Sequence, residues 1–388
     1  MAAMRTDRRT FLMASGVTAI ASTRVLGAND TIRLGLIGCG GRSRQLLQAA
    51  DEVGGYELIA ACDVYEPRRD EVRSTRGSDI STHLEYRDVL SIKEVDAVLI
   101  AAPDHWHVQM ACDAIAAGKD VYLEKPVTHT IEQGNTLTRA VAASNRVLQC
   151  GMQQRSWVHF QSAVDLIQGG NIGQVTHVRT YWYQNYHRPH PPKPMEKDML
   201  DWKRWLGAAP EQPFSEEKFR LWRWYWDFGG GAMTDLFTHW IDVVHWAMKQ
   251  SEPQLAQGLG DRYVFDWQCP DTVQCAFRYA GFEVGYEGTM VSSIDDGGLE
   301  FRGTNATLKL DRAGFSIYRE SVKGNPILTE RSALDGTISH MQNFFDCVRD
   351  RKVPNAPVEA GVAAAHAGQI GNLALRSGNP VRWPPKTA

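Results

Sequence analysis

An apolar run from Thr31 to Ile37 delivers the chain into Gly38-Cys39-Gly40-Gly41-Arg42-Ser43, and helical character continues from Gln45 to Ala50. A run of this kind is what a buried parallel strand looks like. Gly38 permits a tight turn, and Gly40 lets the backbone approach a pyrophosphate. Ser43, in place of a third glycine, is small enough for close helix packing. The amino end of the helix then turns its unpaired amides toward the phosphates. A glycine cluster alone is weak evidence, so its meaning depends on the elements downstream.

Downstream the chain repeats a strand–helix order. Glu57 to Asp63 reads as a second strand, and Asp63 falls where an acid takes the adenine ribose hydroxyls. An acid there repels a 2′-phosphate and favours NAD, while Arg68 and Arg69 keep NADP open. Asp96 to Ala102 is a further strand, capped by Pro103-Asp104-His105-Trp106-His107, and a helix from Val108 to Ala117 ends at Gly118. Asp120 to Leu123 is the next strand, succeeded by Glu124-Lys125-Pro126, a helix near Ile131 to Ala143, and a strand from Val147 to Gly151. Such alternation predicts a doubly wound parallel sheet over residues 31–151. Lys125 then stands at a strand's carboxyl end, the edge where such sheets bind ligands, with Pro126 holding it to extended angles. The cofactor contacts expected on this sheet are Gly38, Gly40, Gly41, Arg42, Ser43, Asp63, Ala102, Pro103, His107, Glu124, Lys125 and Pro126.

The second half changes period. Val175 to Tyr183 alternates, Thr272 to Tyr279 and Phe282 to Thr289 read as a hairpin, and Leu299 to Arg302 and Ala306 to Leu310 continue a meander. Alternation suits an open, mostly antiparallel sheet with one covered face. A long loop rich in proline and aromatic residues is expected from Gln184 to about Phe219. Ser339 to Asp350 and Glu359 to Arg376 read as helices that return to pack on the first domain, so residues 152–376 form an α+β domain and 377–388 a tail. At 388 residues the chain has room for two domains, since single cores stop growing near about 250–300 residues.

The start of the chain carries Arg8-Arg9 ahead of a mildly apolar segment from Met13 to Ala21 and small residues at Leu26-Gly27-Ala28. This pattern resembles a twin-arginine export signal over residues 1–28, implying a chain that is exported folded and is periplasmic or otherwise extracytoplasmic. The segment is too short to span a bilayer, and no later one approaches eighteen apolar residues in a row. A net charge of -3 without a basic run argues against nucleic acid as a partner. The seven cysteines form no CxxC pair and no zinc spacing, and no disulfide is expected, with Cys269 and Cys275 left open.

Asp227-Phe228-Gly229-Gly230-Gly231 opens a helix expected to run from about Ala232 to Met248. Asp235 and His239 are four apart and share a face; Asp242 and His245 lie three apart on an adjacent one. Metal binding is an alternative for such a group, but the spacing is not that of a zinc site, so no metal is expected.

In their order these features resemble the glucose-fructose oxidoreductase, inositol dehydrogenase and MocA-type (Gfo/Idh/MocA) oxidoreductases, over nearly all of residues 31–385. The resemblance rests on the glycine turn, on Glu124-Lys125-Pro126, on the Asp235/His239 pair and on the parallel domain succeeded by an open sheet. It implies that Lys125, Asp235 and His239 surround the substrate carbon next to a nicotinamide, and that the chain forms a homo-oligomer through the open sheet. Departures are Ser43 and the tryptophan-rich insert around 184 to 226.

The residue types suit the chemistry. A histidine can take the hydroxyl proton, an aspartate one turn away could orient its ring and favour the cation, and a lysine stabilises a developing alkoxide. Candidate walls for a carbohydrate are Gln153, Arg155, Tyr183, His187, Arg223 and Trp224. The expected activity is NAD-dependent oxidation or reduction of a sugar, polyol or glycoside with a tightly held, internally recycled cofactor. The alternative is an NAD-dependent glycoside hydrolase working by transient oxidation and elimination; a sugar sensor with a vestigial cofactor is weaker because the acid–base residues remain.

Overall fold

In the computed structural model, which describes residues 31–187, 195–319, 321, 324–333 and 335–385, the first half alternates strand and helix as its periodicity demands. The segment expected to be an export signal, residues 1–28, lies outside the described residues. The elements are β1 (Ile32–Ile37), α1 (Gly41–Val53), β2 (Tyr56–Cys62), α2 (Glu66–Arg76), β3 (Ser81–His83), α3 (Tyr86–Ser91), β4 (Ala97–Ile100), α4 (His107–Ala116), β5 (Asp120–Leu123), α5 (Ile131–Ala142) and β6 (Leu148–Cys150). The strands pair in parallel in the order β3-β2-β1-β4-β5-β6. The order reverses between β1 and β4, and a cleft opens at their carboxyl ends. Edge strand β3 is an addition; Ser81-Thr82-His83 has too little apolar character to announce itself.

The second half contains α6 (Val158–Gln168), β7 (Val175–Tyr183), α7 (Trp202–Leu206), α8 (Glu216–Arg220), α9 (Gly231–Asp235), α10 (Phe237–Met248), β8 (Leu255–Asp261), β9 (Thr272–Arg278), β10 (Glu283–Thr289), β11 (Gly297–Gly303), β12 (Thr307–Asp311), β13 (Gly314–Tyr318), β14 (Leu328–Arg331), α11 (Gly336–Asp350), α12 (Val358–Ser377) and β15 (Val381–Arg382). Nine strands pair in the order β14-β13-β12-β11-β7-β10-β9-β8-β15. All neighbours are antiparallel except β7 and β10. Val273, Cys275 and Phe277 of β9 are buried while Gln274, Ala276 and Arg278 are exposed, the alternation of a sheet covered on one face. Phe237 of α10 stacks on Phe277 and lies against Tyr286, fixing that helix to the covered face.

Two helices tie the sheets together. Met341, Phe344 and Phe345 of α11 join Leu34, Leu36, Leu46 and Tyr122 in one apolar cluster. α12 approaches its neighbours through small residues: a Cβ added at Gly368 would lie 2.6 Å from the Met233 carbonyl oxygen. Val381 and Arg382, expected in the tail, add the last strand beside β8.

Two expectations need correction. The helix expected over 232–248 is broken at Leu236 into α9 and α10. Thr238 contributes by donating its hydroxyl to the Thr234 carbonyl (2.8 Å), a bond that competes with the backbone ladder. The expected long loop also carries structure. Asp201 caps α7 through the Arg204 amide (2.9 Å), and Ser215 caps α8 through the Lys218 amide (3.2 Å). Residues 188–194 of that loop lie outside the described residues.

The interior holds several neutral histidines. Burial lowers the pKa of His105 and His245 to about 3 and of His340 to about 4. The unfolded chain therefore binds more protons below pH 6.5, and stability present above that value is lost as the pH falls toward about 4 and then 3. Denaturant unfolding at pH 7.0, 6.0 and 5.0 (chosen to be about one unit apart) is expected to give falling midpoints; a flat series would contradict these protonation states.

Candidate functional site

Gly38 ends β1 with φ +86°, and a Cβ there would lie 2.7 Å from the Ala101 carbonyl oxygen, so this turn accepts only glycine. Gly40 caps α1 without any side-chain acceptor, and Ser43 donates its hydroxyl back to the Gly40 carbonyl (2.7 Å). Gly40, Gly41, Arg42, Ala102, Pro103, Glu124 and Lys125 line one side of a cavity of about 500 Å³. Arg42 donates to Glu124 (2.6 Å), while its buried Nη2 has no partner among the described residues. A glycine cradle beside unpaired amides fits a dinucleotide phosphate. Gly38→Ala is expected to add about 1–3 kcal/mol of backbone strain. Calorimetric titration with NAD should then show weakened binding, and unchanged affinity would remove the turn from the cofactor site.

Asp63 ends β2, where its carboxylate accepts the Cys39 amide (2.8 Å) and the Tyr65 amide (2.9 Å), with Arg68 at 3.4 Å. It faces a smaller cavity of about 70 Å³, together with Gly38, Trp106, Arg204 and Trp205. The insert forms one wall of this cavity. Leu200 bridges to Tyr65, the Asp201 amide donates to Val64 O (3.0 Å), and Trp106 Nε1 donates to Trp205 O (2.9 Å). The insert thus runs as a strap over the strand ends. His107 and Pro126 do not line the main cavity. The buried His107 ring places Nδ1 2.6 Å from Pro126 O and Nε2 2.8 Å from Ala102 O, joining the chain beyond β4 to the chain beyond β5. Pro126 is preceded by a cis peptide bond.

Across the cavity from the glycine turn lie Trp182, Gln184, Arg223, Asp235, His239 and Arg312. Lys125 donates to Asp235 Oδ1 (2.5 Å) and to the Asp235 carbonyl (2.7 Å), and Arg223 Nε reaches the same Oδ1 (3.1 Å). Burial alone would raise the Asp235 pKa, but these two cations outweigh it and hold the carboxyl down at about 2. His239 is 6% exposed, and its ring stacks on Trp182 with centroids 5.5 Å apart. Its Nδ1 has no hydrogen-bond partner among the described residues. Burial, and after it the fields of Lys125, Arg312 and Arg42, lowers its pKa well below the ordinary value. This corrects the expectation that Asp235 orients the imidazole and favours its cation: the carboxylate is taken by Lys125 and Arg223, and the ring is neutral. Asp104, fully enclosed nearby, has its pKa pushed strongly upward by burial and by Asp235, against the opposing fields of Lys125 and Arg223.

Of the expected walls, Gln153 and Arg223 line the cavity. Arg155 instead grips buried Asp242, its Nε 2.9 Å from both carboxylate oxygens. Tyr183 donates to Glu287 (2.7 Å) on the open face of the sheet, and His187 is exposed away from the cavity lining. Trp224 is 1% exposed and stacks on Trp267 at 4.5 Å. Arg155, Tyr183 and Trp224 are drawn away by partners on distant strands, helices or loops. Sequence reasoning misses Trp182, although its phase with buried Val178 and Thr180 along β7 marks it as inward-facing. It also misses Arg312, because a lone arginine in a hairpin turn looks solvated. Among the described residues, no group of three or more potential metal-ligating side chains is present, and no helix is long and apolar enough to cross a membrane.

The strand order, the glycine turn and the cleft at the switch point define a dinucleotide-binding protein of the Rossmann class. Comparison with known families makes this specific. The description "Oxidoreductase family, NAD-binding Rossmann fold" matches residues 32–152, and the "GFO/IDH/MocA C-terminal domain" matches residues 160–309. The chain belongs to the Gfo/Idh/MocA oxidoreductase family. It is 33% identical over 159 residues to a glycosyl hydrolase family 109 protein of Shewanella sp. (strain ANA-3), covering 33% of this chain and 35% of that one. It is 28% identical over 155 residues to the inositol 2-dehydrogenase of Salmonella typhimurium (strain LT2), covering 39% of this chain and 46% of that one. The chain thus spans between a third and a half of these relatives' lengths. In fold it is similar to levoglucosan dehydrogenase in complex with NADH and L-sorbose, with a TM-score of 0.75 and 18% identity over 92% of this chain and 99% of the other.

Proposed function

We propose that this chain is an NAD-dependent oxidoreductase acting on a sugar, polyol or glycoside. The observation that carries the proposal is the neutral, unpartnered His239 sharing one cavity with the Lys125–Asp235 ion pair and the glycine turn. The similarity to an inositol 2-dehydrogenase supports the polyol class. Bound NAD supplies a hydride acceptor for the substrate carbon. His239, neutral at physiological pH, takes the hydroxyl proton. Lys125 keeps its ammonium at the substrate oxygen, where negative charge grows, and Asp235 with Arg223 holds that ammonium in place. Gln153 Oε1, buried without a partner among the described residues, offers an acceptor to a sugar hydroxyl. Asp63 and the glycine turn belong to the adenosine and phosphate end.

The reading extends to location and assembly. Arg8-Arg9 and the short apolar segment behind it support twin-arginine export to the periplasm. Exchangeable cofactor is scarce there, which favours NAD held tightly and recycled within each turnover. The outward row of Arg179, Tyr181 and Tyr183 on β7 supports self-association through the open sheet, measurable by sedimentation.

A second reading is favoured by the similarity to a glycosyl hydrolase family 109 protein. In it the sugar would be oxidised transiently with bound NAD as the hydride acceptor, the same residues would take the acidified carbon-bound proton as the aglycone leaves, and water addition followed by return of the hydride to the ketone would complete a redox-neutral cycle. One experiment separates the two. Purified protein is denatured and assayed for released NAD, then free sugars and aryl glycosides are offered without added cofactor. Net NADH formation or sugar interconversion supports the oxidoreductase; steady aglycone release without net NADH supports the hydrolase. Full turnover by a Lys125→Ala, His239→Ala double variant overturns both.

A further inference from the structure

We infer that Arg312 is a specificity-determining residue that selects an anionic carbohydrate, one bearing a carboxylate such as a uronic acid, at the substrate end of the cleft. The inference deepens the proposed function and rests on it.

Six cationic side chains line the cavity: Arg42, Arg68, Lys125, Arg220, Arg223 and Arg312. Arg42 pairs with Glu124, Arg68 with Asp63, and Arg220 with Glu216, while Lys125 and Arg223 share Asp235. Arg312 has no ion pair or hydrogen bond among the described residues. Asp335, whose field reaches it, is engaged at the start of α11 by the Thr337 amide (2.8 Å). Counting shared Asp235 once, these pairs leave two positive charges uncompensated, and burial favours the neutral acid at Asp104. Oxidised NAD brings two phosphates and one pyridinium, a single net negative charge. One positive charge then remains for the substrate to meet.

The position of Arg312 says where. Its guanidinium carbon lies 4.9 Å from the Trp182 ring centroid, and Trp182 itself stacks on His239. With no hydrogen-bond or ion-pair partner among the described residues, the N–H groups of Arg312 are available to take a carboxylate in two parallel bonds. The hairpin between β12 and β13 holds it there. Asp311 Oδ1 accepts the amides of Ala313 (2.7 Å) and Gly314 (3.0 Å), and the Asp311 carbonyl is bound by His159 Nε2 (2.9 Å). The cleft walls and Arg42 lower the pKa of Arg312 to about 10, which keeps it charged at neutral pH.

The test uses the full chain with its NAD and matched probes: D-glucose against D-glucuronate, D-galactose against D-galacturonate, and D-mannose against D-mannuronate. Calorimetric titration of the wild type is expected to favour the acid member of at least one pair by about tenfold to a hundredfold, the range of a charge-assisted hydrogen bond. R312Q should lose that preference while retaining its NAD, and R312K should keep part of it. A wild-type preference for the neutral members, or an acid preference that survives R312Q, overturns the inference while leaving the oxidoreductase proposal standing. Loss of NAD from R312Q also overturns it, because Arg312 would then serve the cofactor. A wild type that binds no sugar of either kind fails the proposed function first and the inference with it.

Discussion

Exchanging His239 for asparagine is expected to lower kcat by about a hundredfold to ten-thousandfold, the range a positioned proton acceptor contributes. The variant should fold and retain NAD, because His239 makes no hydrogen bond through Nδ1 and its stacking on Trp182 survives in part. The pH profile of the wild type carries the sharper expectation. A solvated histidine would lose its basic form as the pH falls through 6.5, whereas burial and the neighbouring cations keep His239 neutral well below that value. The basic limb of kcat should accordingly persist into mildly acid solution, over the range in which the fold itself holds. A limb centred at 6.5, or a variant with unchanged kcat, removes His239 from the role of base.

Arg155→Met is expected to destabilise the chain by about 3–5 kcal/mol, because it strands a carboxylate in the interior. Asp242 is 1% exposed, burial pushes its pKa upward, and Arg155 supplies the opposing charge. The double variant Arg155→Met, Asp242→Leu should recover much of the loss, since removing both charges removes the desolvation cost. Denaturant midpoints for the wild type, the two single variants and the double variant give the coupling directly. A double variant as unstable as Arg155→Met alone would mean that packing, rather than the stranded charge, is what the arginine supplies.

Much of the fold is legible in residue order. The run into Gly38, the strand–helix alternation through Cys150 and the two-residue turn at Ala280-Gly281 each encode their geometry locally, and the observed elements fall within a few residues of those expectations. Lys125 is legible for the same reason, since a lysine closing a parallel strand has few other places to go. The partner choices are not. Arg155 and Asp242 are 87 residues apart, and no local pattern announces that a 3₁₀ turn will deliver the one to the other. Spacing alone puts Asp235 and His239 on one helical face; the break at Leu236 and the pull of Lys125 separate their roles. Arg312 shows the converse error, in which a residue looks ordinary until the acids around it are counted.

The strap over the strand ends gives the cleft a property in time as well as in space. Leu200, Asp201, Arg204 and Trp205 are anchored to Tyr65, Val64, Glu85 and Trp106 by backbone and polar bonds, and Leu200, Trp205 and Leu206 are also buried in the apolar core. A nucleotide seated behind it is expected to leave as those bonds and that packing open. Its residence is then set by the local opening free energy of a short peptide segment, and amide exchange over residues 200–206 becomes a clock for cofactor release.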